Sequence, residues 1–176
     1  DLENLEAFYK DRGYLQFALN SSQVSISDDL EELYITLIVN EGEQYQIGSV
    51  NVSGEIPLER EFFEDFIDIP EGSYYSESLI TSYEEFFANV LGNEGFTFAE
   101  VEGVPTIDES GKTADITFVF NPGRKNYTRR IIFNGNDFTT DEVLRREMRQ
   151  FEGAPASNQK IEQSKLFLER TGFFKN

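Results

Sequence analysis

The chain has 176 residues, with 33 acidic and 15 basic side chains, a net charge of −18, and neither cysteine nor histidine. That inventory excludes disulfides and thiolate metal sites, and it removes the commonest general base and the commonest metal ligand. Hydrophobic content of 39%, with 17 Phe and 8 Tyr, is enough to build folded cores. No apolar run reaches the ~18 residues of a membrane helix, and no leader-like segment opens the chain.

The first predicted element is a helix ending in "LEAFYKDRGY" at Tyr14. Two strands follow at about 15–26 and 33–39, with a turn from Ser27 to Glu32. Ile47 to Ser53 alternates and predicts a strand, and Gly54 to Pro57 a turn with proline placed for a first helical turn. Leu58 to Ile67 predicts a helix with Leu58, Phe62, Phe63 and Phe66 on one face, stopped at Pro70-Glu71-Gly72. A second helix spans about Ser76 to Leu91, with Leu79, Ile80, Tyr83, Phe86, Phe87 and Val90 inward and Gly92 and Gly95 at its end. Phe98 to Ile107 and Ala114 to Phe120 form a strand pair around a turn at Asp108 to Lys112. In the last segment a strand is expected at Ile131 and Phe133. A helix then opens with a capping box from Thr139 to Glu142 and closes at Gly153, and another closes at Gly172.

These elements repeat. "GEQYQIGSVNVSG" (42–54) and "GRKNYTRRIIFNG" (123–135) share glycine, tyrosine, an apolar alternation and a closing glycine at an offset of 81. Gly13, Gly95 and Gly172 each close a helix before an aromatic residue, 82 and 77 residues apart. Two independent landmarks therefore give one period near 80, the mark of tandem units. The complete unit reads β-α-α-β-β. The expected fold class is α+β: tandem repeats, each a three-stranded mixed sheet covered by two helices. Residues 1–42 supply the C-terminal part of a repeat (helix-strand-strand), 43–122 a whole one, and 123–176 the N-terminal part of the last (strand-helix-helix). An excerpt of a longer protein is expected, since a hairpin with one helix is a poor autonomous core.

Charge divides the chain differently. Residues 1–122 hold four Lys/Arg against 26 Asp/Glu, a net of −22, while residues 123–176 hold 11 against seven, a net of +4. Such asymmetry points to two different surroundings, or to a solubilising acidic surface.

Tandem β-α-α-β-β units with a glycine and an aromatic after the second helix resemble POTRA repeats. "YTRRIIFNGNDFTTDEVLRREMRQFEG" (127–153) is similar to the last such repeat of outer-membrane β-barrel assembly factors. "DLENLEAFYKDRGY" is similar to the second helix of their third repeat, and "EGEQYQIGSVNVSG" to the start of their fourth. The resemblance implies a non-enzymatic periplasmic scaffold of a Gram-negative outer-membrane protein. It would receive unfolded outer-membrane proteins from periplasmic chaperones. It would also hold the lipoprotein subunits of the machine: a helical-repeat lipoprotein at the last repeat, with a smaller one nearby, and a β-propeller lipoprotein at the hairpin of the third. A two-partner-secretion transporter is the alternative within this family, though such proteins usually carry two repeats. An acidic calcium-binding secreted module is the alternative outside it.

Three groups of residues are candidate sites. In the helix before Gly153, Leu144, Met148 and Phe151 are spaced to face the sheet. Arg145, Arg149 and Glu152, extended by Glu142, form a polar stripe beside them. Exposed pairs of this spacing contribute only ~0.3–0.5 kcal/mol, so the stripe is either a solvated face or a surface for carboxylate and guanidinium recognition. The resemblance implies the second, as the lipoprotein dock. Edge strands are the next group, able to accept an extended peptide through backbone hydrogen bonds. They comprise Phe17, Leu19 and Val24 in the first segment and Phe98, Val101 and Val104 in the complete repeat, with Pro105 blunting one end. A structural edge is the other reading. Last comes the acidic turn Asp28-Asp29-Leu30-Glu31-Glu32, which lacks the spacing of a calcium loop and reads as solvated. The cationic residues Arg124, Lys125, Arg129 and Arg130 suit the vicinity of a membrane rather than nucleic acid, because no basic stripe continues them. No nucleophile elbow or phosphate loop occurs, so no catalysis, cofactor or metal is expected.

Overall fold

The computed structural model describes residues 2–27, 31–136 and 139–172. The elements in chain order are α1 (Leu2–Lys10), β1 (Ala18–Ile26), β2 (Leu33–Asn40), β3 (Gln46–Gly54), α2 (Arg60–Phe66), α3 (Glu77–Asn93), β4 (Glu100–Asp108), β5 (Thr113–Asn121), α4 (Asp141–Glu147) and α5 (Asn158–Arg170). β1 and β2 form an antiparallel pair pairing Val24 with Ile35 and Ile26 with Leu33. The other sheet has the order β3-β5-β4. Gln46 N–H donates to Lys112 O and Glu55 N–H to Phe120 O, so β3 runs parallel to β5, while β4 and β5 are joined by a hairpin turn. The sheet is therefore mixed, as the repeat pattern predicts, and β4 lies at one edge.

The chain packs as two compact units. One comprises the chain through Val52, Glu61–Tyr83 and Glu102–Phe118. Here Ala114, Ile116 and Phe118 alternate on β5 with no exposed area and define the buried face. Tyr83 of α3 packs on Phe118 with ring centroids 5.9 Å apart. Tyr45, just before β3, and Ile47 and Val52 within it are also buried. Their inward phase changes from odd to even numbers at Gly48 and Ser49, the sign of an extra residue bulged out of the strand. The Asp115 carboxylate holds that bulge: its Oδ1 accepts from Ser49 N–H at 2.6 Å and from Ser49 Oγ at 2.8 Å. A Cβ on Gly48 would stand 2.5 Å from the same oxygen, so any larger residue there must displace the Asp115 carboxylate.

The other unit comprises Ser53–Arg60, Glu84–Val101 and the chain from Val119. Phe87 and Leu91, one helical turn apart on α3, are fully buried, and Phe87 packs on Phe120 at 5.6 Å. Burial of one such phenylalanine contributes about 1.5–3 kcal/mol.

Several expectations need correction. α2 is shorter than 58–67, and only Phe63 faces inward; Phe62 and Phe66 stack on each other and are nearly half exposed. The extended stretch at Ile131 and Phe133 makes no ladder; a single bridge joins Tyr127 to Pro155. α4 ends at Glu147 rather than running to Gly153. Beyond Met148 the backbone N–H groups of Arg149 and Gln150 bind Ser164 Oγ of α5, at 2.8 and 3.2 Å. A long-range hydroxyl thus replaces the i−4 carbonyls that would continue the helix. No capping box forms: the N-cap is Thr140, whose side chain makes no cap bond.

The repeat survives in the bonds. Ile47 N–H to Ser73 O corresponds to Thr128 N–H to Ala154 O, and Gly72 N–H to Ile47 O corresponds to Gly153 N–H to Thr128 O, all offset by 81. α2 and α4 are seven residues each at the same offset.

Candidate functional site

The stripe of the last segment becomes a closed constellation. Asp141, in the first turn of α4, receives Arg145 Nε at 3.0 Å, an i,i+4 pair. Arg145 Nη1 donates to Glu152 Oε1 at 3.2 Å, and Arg145 Nη2 donates to the carbonyl of Ile131 at 3.0 Å. The same Glu152 oxygen accepts Ile131 N–H at 2.8 Å. Arginine and glutamate together bind both backbone groups of Ile131, as a neighbouring strand would. The Ile131 N–H and the guanidinium hold the Glu152 carboxyl below its ordinary range, and Glu152 and Asp141 raise Arg145. Both side chains remain about 40% exposed, so this is an accessible clasp rather than a buried pair.

Around it lies a recess of about 280 Å³ lined by Ile131, Arg145, Met148, Gln150, Phe151 and Glu152. Gln150 is 2% exposed and fixes the loop below: its Nε2 donates to Phe151 O and Pro155 O, and its Oε1 accepts Ser157 N–H. Leu144 is buried, as its spacing predicts, but Phe151 is 63% exposed, because the chain has left the helix before reaching it. For the same reason Arg149 does not continue the stripe; its guanidinium lies 4.3 Å from the Phe167 ring of α5. Glu142 is exposed on α4. Spacing reasoning missed Asp141 as a partner, although its i,i+4 relation to Arg145 was readable. It could not show Ile131 or Ser164, which act through long-range contacts.

The edge-strand candidates divide. Val101 and Val104 lie in β4 at the sheet edge, half-buried and exposed respectively, and Val24 is 60% exposed in β1. Leu19 is half-buried beside the register shift in β1. Phe17 precedes β1 and is a core residue, stacked on Tyr9 at 4.3 Å. Phe98 precedes β4 and is 82% exposed, so it flanks the edge without belonging to it. In the acidic turn, Asp28, Asp29 and Leu30 lie outside the described residues.

Two joints recur at the repeat period. Asp11, after α1, accepts Ser76 Oγ at 3.0 Å, Ser78 N–H at 2.8 Å and Ser78 Oγ at 2.7 Å, satisfying the N-terminus of α3. Asn93, at the end of α3, accepts Gln159 N–H at 2.9 Å and Ser157 Oγ at 3.3 Å at the N-terminus of α5. Beside them Tyr45 N–H donates to Gly13 O and Asn126 N–H to Gly95 O, each at 2.8 Å.

The POTRA family, described as surface antigen variable number repeat, matches residues 45–123 and 126–176. Over its whole length the chain is 31% identical to the outer membrane protein assembly factor BamA of Neisseria meningitidis serogroup B, covering 22% of that protein. Over 99% of its length it is 31% identical to BamA of Buchnera aphidicola, covering 28% of it. The chain thus spans about a quarter of the relatives it matches. The crystal structure of Haemophilus influenzae BamA POTRA3-5 superposes with a TM-score of 0.84 at 32% identity, over 99% of this chain and 69% of that one. With its mixed three-stranded sheet, recurring joints and two matched segments, the chain belongs to the POTRA family.

Proposed function

We propose that the chain is the periplasmic scaffold region of an outer-membrane β-barrel assembly factor, spanning the end of one repeat (1–42), a complete repeat (43–122) and the start of the last (123–176). In this reading it performs no chemistry. It binds lipoprotein subunits of the machine and unfolded outer-membrane clients, the latter along the β4 edge at Val101 and Val104 and along β1 at Val24. The helical-repeat lipoprotein docks on the last segment at Arg145, Arg149, Glu142 and Glu152. The observation that carries the dock is the accessible Arg145–Glu152 clasp with Phe151 and Ile132 exposed beside it. An accessible charge pair with exposed apolar side chains beside it suits a partner that brings its own carboxylate or guanidinium.

The test is a pull-down with the cognate helical-repeat lipoprotein. Glu152→Lys is expected to weaken binding at least tenfold while the melting temperature falls by only a few degrees, since the clasp is exposed. Wild-type binding by this variant would leave the clasp a structural feature of the last segment.

A further inference from the structure

The two repeats stop their short helices by different means. α2 and α4 end at Phe66 and Glu147, positions related by the offset of 81. Two residues beyond each end, a backbone amide is taken by a hydroxyl of the following helix. Asp68 N–H donates to Tyr83 Oη of α3 at 3.1 Å, and Arg149 N–H donates to Ser164 Oγ of α5 at 2.8 Å. Both partners keep the offset of 81. In the complete repeat Pro70 stands behind that bond. Proline supplies no N–H, clashes with the helix before it and pushes the preceding residue out of the helical region, so α2 is stopped whatever Tyr83 does. The residue equivalent to Pro70 in the last segment is Phe151.

No proline therefore stops α4. Met148, Arg149, Gln150 and Glu152 are good helix formers and Phe151 an ordinary one. Gly153 already has the positive φ, +78°, that closes helices. In a continued helix the amides of Arg149 and Gln150 would bond to the carbonyls of Arg145 and Arg146. Ser164 Oγ takes both amides instead, while its own proton goes to Lys160 O at 2.6 Å. Met148 accordingly leaves the helix with ψ 138°. The Gln150 side chain fixes the far side of the loop, at Phe151, Pro155 and Ser157, and leaves those two amides to Ser164.

The turn held in this way decides where Glu152 stands. Unbroken helix would carry Glu152 about 10 Å along the axis from Arg145. The broken helix brings Glu152 Oε1 to 3.2 Å from Arg145 Nη1 and 2.8 Å from the Ile131 nitrogen.

We propose that Ser164, buried on α5, is the positioning residue of the last segment: its hydroxyl selects the closed clasp of Arg145, Glu152 and Ile131 over a continued α4 that opens it. That selection needs no partner; its effect on a partner rests on the dock proposed above. The complete repeat, with its proline, has no such choice.

The experiment is nuclear magnetic resonance on the 176-residue chain carrying Ser164→Ala. The carbon shifts of Arg149 and Gln150 are expected to move to helical values, and the Ile131 amide to lose its protection from exchange. Binding of the helical-repeat lipoprotein should fall about tenfold, as for Glu152→Lys. A second variant adds Phe151→Pro to Ser164→Ala, giving the last segment the proline of the complete repeat. The Phe151 N–H makes no hydrogen bond among the described residues, so proline removes none there. This variant should recover the extended shifts and the Ile131 protection without any hydroxyl, which a mere loss of packing at Ser164 would not allow. It is read by resonance alone, because Phe151 lies beside the dock. Unchanged shifts in Ser164→Ala, or losses that the proline does not reverse, would overturn the proposal. An opened clasp with undiminished lipoprotein binding would uphold the role of Ser164 and remove the dock.

Discussion

The two joints use one geometry with different chemistry. At the first, an ionised carboxylate of Asp11 takes three hydrogen bonds at the start of α3; at the second, the neutral amide oxygen of Asn93 takes two at the start of α5. Both helices also carry their own serine N-cap, Ser76 for α3 and Ser157 for α5. The joint residue is thus a second acceptor, brought by the preceding helix to the amide one position nearer the N-terminus. A charge at a helix N-terminus is stabilised by the helix dipole and makes stronger hydrogen bonds than an amide. The comparison teaches that the first joint is the firmer and the second the more forgiving.

The glycines that close the preceding helices should separate the joints most. Gly13 has φ +93°, and a Cβ there would lie 2.8 Å from the Tyr45 carbonyl oxygen, a backbone atom. At Gly95, φ is +105° but the nearest neighbours are Lys125 side-chain atoms at 3.0 and 3.1 Å, which can move. Gly13→Ala is expected to cost about 2–3 kcal/mol and Gly95→Ala about 1–2 kcal/mol. Urea denaturation of both variants checks the order, and equal losses would remove the claimed difference in tolerance.

Removal of the caps comes next. Asp11→Ala should cost about 1–2 kcal/mol and Asn93→Ala about 1 kcal/mol. The local readout is amide exchange, which should quicken at Ser78 in the first variant and at Gln159 in the second. Exchange that quickens equally at both amides in either variant would mean that the joints are not separate.

The smallest effect is in acid. Partial burial pushes the Asp11 carboxyl up, but bonds from Ser78 and Ser76 and the charge of Arg12 more than offset it, so the folded group titrates below the usual carboxylate range. A depressed folded pKa means stability that is present above the unfolded value and lost as pH falls through the folded one. Protection of Ser78 relative to Gln159 should therefore decline between about pH 5 and about pH 2. Asp11→Asn should flatten that decline. A constant ratio in the wild-type chain would show that the carboxylate's charge contributes nothing to the joint.

Much of this fold was legible because its signals are local. The glycine-aromatic period, the alternation of Ala114, Ile116, Phe118 and Phe120, and the face of α3 through Phe87 and Leu91 all follow from spacing. The misread positions were decided by distant partners. Phe17 reads as a strand residue until Tyr9 stacks on it, and "RREMRQFEG" reads as helix until Ser164 captures the amides of Arg149 and Gln150. In the candidate site, Arg145 and Glu152 do come together as their stripe suggested. They do so seven residues apart across a broken helix, bonded directly and both tied to the Ile131 backbone, rather than along one face.

The bulge at Gly48 also ties together two positions 67 residues apart. Gly48 has ordinary backbone angles, and what excludes a side chain there is the Asp115 carboxylate, held in place by Ser49. Each position then bears on the other. A side chain at 48 must turn the Asp115 carboxylate aside or meet a shorter residue at 115, and either change takes from Ser49 its acceptor. Among relatives of this chain, the two sites should change as a pair, and the pair should mark which repeats keep the bulge.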